Sequence, residues 1–480
     1  MLRGAVAATT PLSVDEAYYW QWTRPLELSY YDHPAMVAYW IWTGIHLIGE
    51  NELGVRLLAV VGSCAVTALA WDAARLAFAS RRVGALTAFW LNGAALFDIS
   101  GTIMTPDSPL LLFWSLCLWA LIRLVAEQRP RYLYVAGLAL GLGAISKYTM
   151  VLLVPAVLAV FVLFPALRRW WRSPHPYLAA LLGLISMTPL LLWNLENQGA
   201  SFTKQLDHAF AADTPHRLAN LGDFLASQVG LVTPLIFAFC LWGMGWALWA
   251  GWRRQRADWF LLGASSLPVF LFFLQHTLGG LVQAHWAGPA YLGGVMAAVG
   301  GWSTAGDRPQ RAFRAAPFVG VAVTLLVFLQ ASTAILPIPV RVDPLKRLGG
   351  WRELAAAVDA ERTASPGAFL FTEKHQPTGV VSFYLPDHPP VFLQGHIRPS
   401  YYTAADVAAL KGKNGLFITR SNSNAARDIA KYFADVVFRR RVVLRWGGRP
   451  ADSYDLYLAT DYRGGAFVMG DGLDAARDDP

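Results

Sequence analysis

Apolar residues run in long stretches through the first part of the chain, each ended by a short polar or arginine-bearing segment. A membrane crossing needs about 20 such residues, and about 17 at the least. Ten stretches predict spans: 53–78, 83–97, 108–125, 132–145, 148–167, 177–192, 224–249, 259–274, 286–302 and 317–336. Several are short for a full crossing, so some of these helices are expected to stop below the surface. After Pro337 the pattern changes. Residues 351–362 have the spacing of an amphipathic helix, 368–372, 415–419 and 455–460 read as strands, and 424–434 reads as a second helix. The pattern predicts an α-helical multi-pass membrane bundle over residues 1–336 and a carboxy-terminal soluble α/β domain over 337–480, large enough to bury its own core. The polar, acidic residues 470–480 are expected to form a loose tail.

The linkers alternate in chemistry. Arg81 and Arg82, then Arg123, Arg129 and Arg131, then Arg168, Arg169 and Arg172, then Arg253, Arg254 and Arg256, and last Arg308, Arg311 and Arg314 occupy every second one. Basic linkers stay in the cytoplasm, so these five predict one side. Residues 1–52, 98–107, 146–147, 194–223, 276–285 and everything after Pro337 then face outward. The predicted localisation is the cytoplasmic (inner) membrane, with the polar motifs on its outer side. Only residues 1–14 precede the first acidic motif, too few to cross, so a first helix is expected to be missing from this sequence.

Composition narrows the class. With 55% hydrophobic and 15% charged residues, the chain is neither disordered nor an ordinary soluble enzyme. Its net charge of +8 sits in the linkers as topology signals, and no nucleic-acid partner is implied. Cys64, Cys117 and Cys240 all fall in apolar stretches and read as core filler, not as a disulfide framework or a metal site.

The outward segments hold the candidate chemistry. Asp15, Glu16, Asp32 and His33 lie among aromatics in SVDEAYYWQWTRPLELSYYDHPAMVAY; the bland alternative is that Asp15 and Glu16 cap a helix. Asp107, in MTPDSP, follows a proline that fixes a turn and can open the next helix. A second outward carboxylate at membrane depth favours function, because unpaired ionisable groups are costly there. Lys147, followed by Tyr148, interrupts a long apolar run, which places the ammonium at a hairpin tip near lipid-phosphate depth, where it suits a phosphate better than simple snorkelling does. Trp193, Asn194 and Gln198, then His276, His285 and Trp286, add hydrogen-bonding groups. Three histidines on separate loops have no metal-site spacing.

DEAYYW, YYDHPAMVAYW, TPDSPLLLFW, GLGAISKY, LLWN and AHWAGPAY occur in that order over residues 13–300. The set resembles bacterial GT-C glycosyltransferases of the dolichyl-phosphate-mannose protein mannosyltransferase and aminoarabinose lipid A transferase type. That resemblance implies a GT-C-like bundle that takes a sugar from a polyprenyl-phosphate donor and passes it to an acceptor outside the membrane. It implies catalytic roles for Asp15, Glu16 and Asp107, with Asp15 activating the acceptor. It also places Lys147 among the phosphate-binding groups; Asp32, His33, Tyr148, Asn194 and His285 are read as substrate-binding beside it. Two features depart from the pattern: the acid-lysine-proline motif of aminoarabinose transferases is here Asp32, His33 and Pro34, and the first span is absent.

A polyprenyl phosphate leaves as an anion that needs stabilising more than protonating, so one general base suffices. Lys147, helped by a protonated His33, would stabilise that charge, and single displacement predicts inversion. The prenyl chain supplies binding at about 0.8 kcal/mol per buried methylene. The acceptor is left open among lipid A, another glycan and a protein. No cofactor is expected, though a divalent cation between Asp15 and Asp107 is an alternative. The competing readings are a lipid-linked sugar transporter or flippase, for which the missing internal repeat counts against, and an assembly protein that recruits partners through its α/β domain.

Overall fold

A computed structural model describes residues 2–210, 216–304, 310–397 and 404–469. The expected tail at 470–480 and the linker residue Arg308 lie outside the described residues. The chain is a multi-pass helical membrane protein with a small carboxy-terminal sheet. It divides into two compact units: residues 28–40 and 56–327 form one, and 2–27, 41–55 and 328–480 the other. The last segment of the second unit begins at Phe328, and amino-terminal segments belong to the same unit. Those segments hold the helices Leu2–Thr9 and Val14–Gln21, and the missed apolar helix Met36–Ile48 begins in the first unit.

In the bundle unit the predicted spans appear with interruptions. Among the described residues five helices are long and apolar enough to cross, or up to seven if each of two bent pairs is one span. The shortfall from ten is one of length. Arg131–Ala144, for example, rises about 21 Å where the hydrocarbon core is about 30 Å thick. The span expected over 224–249 is two helices, Arg217–Val232 and Pro234–Arg253. Pro234 lacks an N–H and disfavours helical geometry at the preceding Thr233, which leaves the helix at φ 71°. Pro165 and Pro189 mark the breaks in the two bent pairs, at 97° and 49°.

Close helix packing uses small residues, as lipid-embedded helices do. A Cβ on Gly141 would lie 2.2 Å from the Gly183 carbonyl oxygen and 2.0 Å from Ser186 Oγ, so the helices Arg131–Ala144 and His175–Ser186 meet backbone to backbone. Gly141→Leu should therefore destabilise the bundle by about 1–3 kcal/mol through overpacking, read as a lower melting midpoint in detergent. At the arginine-bearing end, Asp72 accepts hydrogen bonds from Arg75, Trp119 and Arg123, and Glu127 takes the other side of Arg123. Cys117 and Cys240 are buried as expected, but Cys64 is exposed, because its position faces outward from the Glu52–Ala77 helix instead of into the core.

The second unit is built on a five-stranded sheet in the order β2-β1-β4-β6-β5, with β1 Phe369–Thr372, β2 Val391–Leu393, β4 Gly415–Arg420, β5 Asp435–Trp446 and β6 Arg449–Thr460. β1 runs parallel to β2 and β4; β6 runs antiparallel to β4 and β5. β3 Gly395–Ile397 and β7 Phe467–Met469 pair separately. Phe371, Phe392, Phe417, Phe433 and Phe467 fill the core. The helix His375–Tyr384 packs on Val14–Gln21 so closely that a Cβ on Gly379 would meet the Ala17 carbonyl oxygen at 2.6 Å. Tyr384 Oη accepts the Leu12 N–H at 2.8 Å and donates to Glu52. Buried Asp343 takes hydrogen bonds from Gln330, Trp446 and the Leu345 N–H, tying the end of the helix Gln310–Thr333 to the sheet.

Candidate functional site

Local chain geometry brings Asp107 and Lys147 together. Pro106 starts the helix Asp107–Glu127, and the chain turns out of the helix Arg131–Ala144 through extended Lys147 into the short helix Tyr148–Leu153. Lys147 Nζ donates to both carboxylate oxygens of Asp107, at 2.8 and 2.9 Å. Both residues are buried, so two charges costly in isolation are retained as a pair. His285 Nε2, in the turn Ala284–Ala287, lies 3.4 Å from the same carboxylate, and Trp286 sets its ring 5.7 Å from the Lys147 ammonium. Met36, Phe113, Ile145 and Leu190 form a buried apolar cluster, and the Met36 N–H donates to the Ile145 carbonyl. That bond pins the Asp32–Pro34 segment beside the Lys147 turn.

A second ion pair sits in this unit. Lys204, on the helix Ala200–Phe210, is salt-bridged to Asp32 and lies 4.5 Å from the Tyr31 ring centroid. Gln205 Nε2 donates to the Asp32 carbonyl at 3.1 Å. Asn194 joins this helix to the preceding one: its amide donates to the Leu190 carbonyl, and its Oδ1 accepts from Ser201 Oγ and the Phe202 N–H. Tyr148 Oη meets Ser201 Oγ at 2.5 Å. Tyr148 and Asn194, expected to hold substrate, therefore position the helix that carries Lys204.

His33 lies between the two pairs, its Nδ1 enclosed by protein. Burial, reinforced by the Lys147 charge and opposed by Asp32 and Asp107, pushes its imidazole down to about 4. The protonated His33 expected from the sequence is thus corrected: at neutral pH the ring is neutral, because desolvation outweighs the carboxylates. In the unfolded chain a histidine titrates near 6.5, so between about pH 4 and 6.5 the unfolded state binds more protons. Stability should rise with pH across that window by about 1.4 kcal/mol per unit, about 3 kcal/mol in all, and the gain should be lost on acidification. His33→Gln should remove one proton's worth of that slope in unfolding measured at pH 4.5, 5.5 and 6.5.

The first-loop acids separate. Glu16 belongs to a capping box: its Oε2 accepts the Ser13 N–H at 2.9 Å while Ser13 Oγ accepts the Glu16 N–H. The capping alternative thus describes Glu16, which is fully buried. Asp15 is exposed on the same helix, outside the box. Both acids lie in the second unit, whereas Asp32, His33, Asp107, Lys147, Tyr148, Asn194 and His285 lie in the bundle unit. The sequence does not single out Lys204 and Ser201, because 194–223 reads as a polar linker. The signal is a lone lysine one turn after Ala200 in a segment able to form an amphipathic helix. Among the described residues no group of three or more His, Cys, Asp or Glu side chains could hold a metal ion.

Comparison with known proteins fits this arrangement. Residues 32–193, which carry both ion-pair acids and Lys147, match the dolichyl-phosphate-mannose-protein mannosyltransferase family. The lipid A galacturonosyltransferase RgtD of Rhizobium johnstonii is 29% identical over 296 residues, and the match spans 60% of each chain. ArnT from Cupriavidus metallidurans in the apo state superposes with a TM-score of 0.66 at 15% identity over 95% of both chains. ArnT bound to undecaprenyl phosphate superposes with a TM-score of 0.64 at 16% identity, over 95% of this chain and 96% of that one. The fold is that of ArnT.

Proposed function

We propose that this chain is a membrane glycosyltransferase that moves a sugar from a polyprenyl-phosphate donor to an acceptor on the outer side of the cytoplasmic membrane, with inversion. The observation that carries the reading is the buried Asp107–Lys147 pair, flanked by His285 and Trp286. An ammonium has three N–H donors, and two go to Asp107. The third suits a phosphate oxygen of a lipid-linked donor, and the carboxylate holds the ammonium charged and oriented before substrate arrives.

In the reaction the acceptor oxygen bonds to the anomeric carbon, the bond from that carbon to the phosphate oxygen breaks, and the electron pair leaves with the polyprenyl phosphate. Lys147 stabilises the charge gathering there. Neutral His33 adds no charge but can hydrogen-bond the phosphate or the sugar. The acceptor proton passes to a carboxylate, the role that the family resemblance gives to Asp15. The name of the 29%-identical relative suggests lipid A as acceptor and a uronosyl group as cargo. A uronate would need a second cation, and Lys204 supplies one in the bundle unit.

The test is purified chain in liposomes with polyprenyl-phosphate galacturonic acid and lipid A, followed by mass spectrometry of both lipids. Release of polyprenyl phosphate matched by a uronosyl mass gain on lipid A is the expected result. Headgroup translocation with the phosphoester intact would overturn the reading in favour of a transporter. Loss of turnover in chelator, restored by magnesium or manganese, would instead support the divalent-cation alternative.

A further inference from the structure

A cavity of about 640 Å³ opens at the arginine-bearing end of the bundle, within the range of small-molecule sites. Arg82 and Ser80 line it at the start of the helix Arg81–Leu91, Arg314 lines it from the helix Gln310–Thr333, and Phe89 and Phe318 form an apolar wall. It is remote from the ion-paired site. His285 lies just ahead of Gly288, whereas this cavity is reached at the far end of the helix Gly288–Thr304, about 24 Å along its axis.

The two guanidiniums line the cavity without a carboxylate partner among the described residues, and those of Arg81 and Arg311, outside its lining, lack one too. Arg123 is taken up by Asp72 and Glu127, and Arg256 by Asp258, but among the described residues no hydrogen bond or ion pair engages Arg82 or Arg314. Two like charges lining one cavity repel each other, and an anion between them reverses that cost. Ser80 Oγ already accepts the Val83 N–H, which leaves its own O–H to donate. The apolar wall argues against a small soluble anion as the occupant. Phe89 and Phe318 meet edge to face at 5.1 Å, and Phe318 is 65% exposed on a helix apolar enough to cross the membrane. A ligand with an anionic head and an alkyl tail satisfies both parts of the site.

We infer that this cavity binds the phosphate headgroup of an anionic membrane lipid, with an acyl chain covering Phe318, and that the site is separate from the one proposed for glycosyl transfer. Basic pockets between membrane helices recognise such headgroups in this way.

The experiment is native mass spectrometry of the full chain in mild detergent, titrated with phosphatidylglycerol and with phosphatidylcholine of the same acyl chains. One phosphatidylglycerol should be retained in preference to phosphatidylcholine. Removing both charges in the double variant Arg82→Ala, Arg314→Ala should weaken that retention about thirtyfold, at roughly 1 kcal/mol for each arginine. Both side chains are exposed, so the fold should survive. The double variant Arg82→Lys, Arg314→Lys should keep most of the preference, and Ser303→Trp, which fills the cavity from its rim with both arginines intact, should abolish it. Equal retention of the two lipids, or no effect of the alanine variant, would overturn the inference. Displacement of phosphatidylglycerol by inorganic phosphate would overturn it too, and assign the site to a soluble anion.

Discussion

Replacing Lys147 with alanine should abolish release of polyprenyl phosphate and also destabilise the bundle. The two effects have different causes and can be separated. Lys147 donates to both oxygens of Asp107, and the pair is buried. Removing one partner strands a buried carboxylate, which costs about 3–5 kcal/mol. Part of that loss is relieved if Asp107 takes up a proton. The double variant Lys147→Met, Asp107→Leu removes both charges at similar volume, and such replacements of buried pairs are often neutral or stabilising. Its melting midpoint in detergent should return toward that of the parent protein. Its turnover should not return, because no ammonium is left to stabilise the leaving phosphate, a contribution of about 10²–10³ in rate for a single donor. Recovered turnover in the double variant would make the pair structural and remove Lys147 from the chemistry.

The bundle was legible because apolar length is a strong signal, and it was misread where proline acts within an apolar run. Residues 224–249 are continuous in hydropathy, yet Thr233 and Pro234 split them. Length also misled, since stretches such as 132–145 are apolar enough to suggest a crossing but too short to complete one. In the sheet domain β1 and β4 were found within a residue or so, because their short apolar runs are buried. β5 was missed. Its run of Arg439, Arg440 and Arg441 hides the alternation, and the register shift between Phe438 and Arg440 removes the strict period of two on which strand reading depends.

Legibility of the site followed the same physics. Asp107 and Lys147 could be picked out singly, since charge at membrane depth is conspicuous, but their pairing across the intervening helices could not be read from spacing. Lys204 escaped because a lysine in a polar segment looks like solvated surface until the fold sets it on Asp32. The charge state of His33 escaped for another reason. Sequence shows the neighbouring acid, which would raise its pKa, but not the enclosure that lowers it further. Desolvation is a property of packing and leaves no local mark on the chain.

The same distinction between adjacent groups gives the sharpest test of the first loop, where Asp15→Asn should cut turnover by about 10²–10⁴, the usual worth of a general base. The helix Val14–Gln21 is held by the Ser13–Glu16 capping box and by the contact of Ala17 with Gly379, and Asp15 is part of neither. Asparagine keeps its shape but loses the charge and the ability to accept a proton, so turnover should fall far more than stability, which loses at most the tenths of a kcal/mol that a first-turn acid contributes, up to about 1. Glu16→Ala should show the opposite pattern. Without the carboxylate the Ser13 N–H loses its partner, and stability should fall by about 1 kcal/mol with turnover changed far less than in Asp15→Asn. Glu16→Gln should restore it, since an amide oxygen still accepts that N–H. If Asp15→Asn turns over like the parent protein while Glu16→Gln is inactive, the proton acceptor is Glu16, and the capping box would have to open for each turnover.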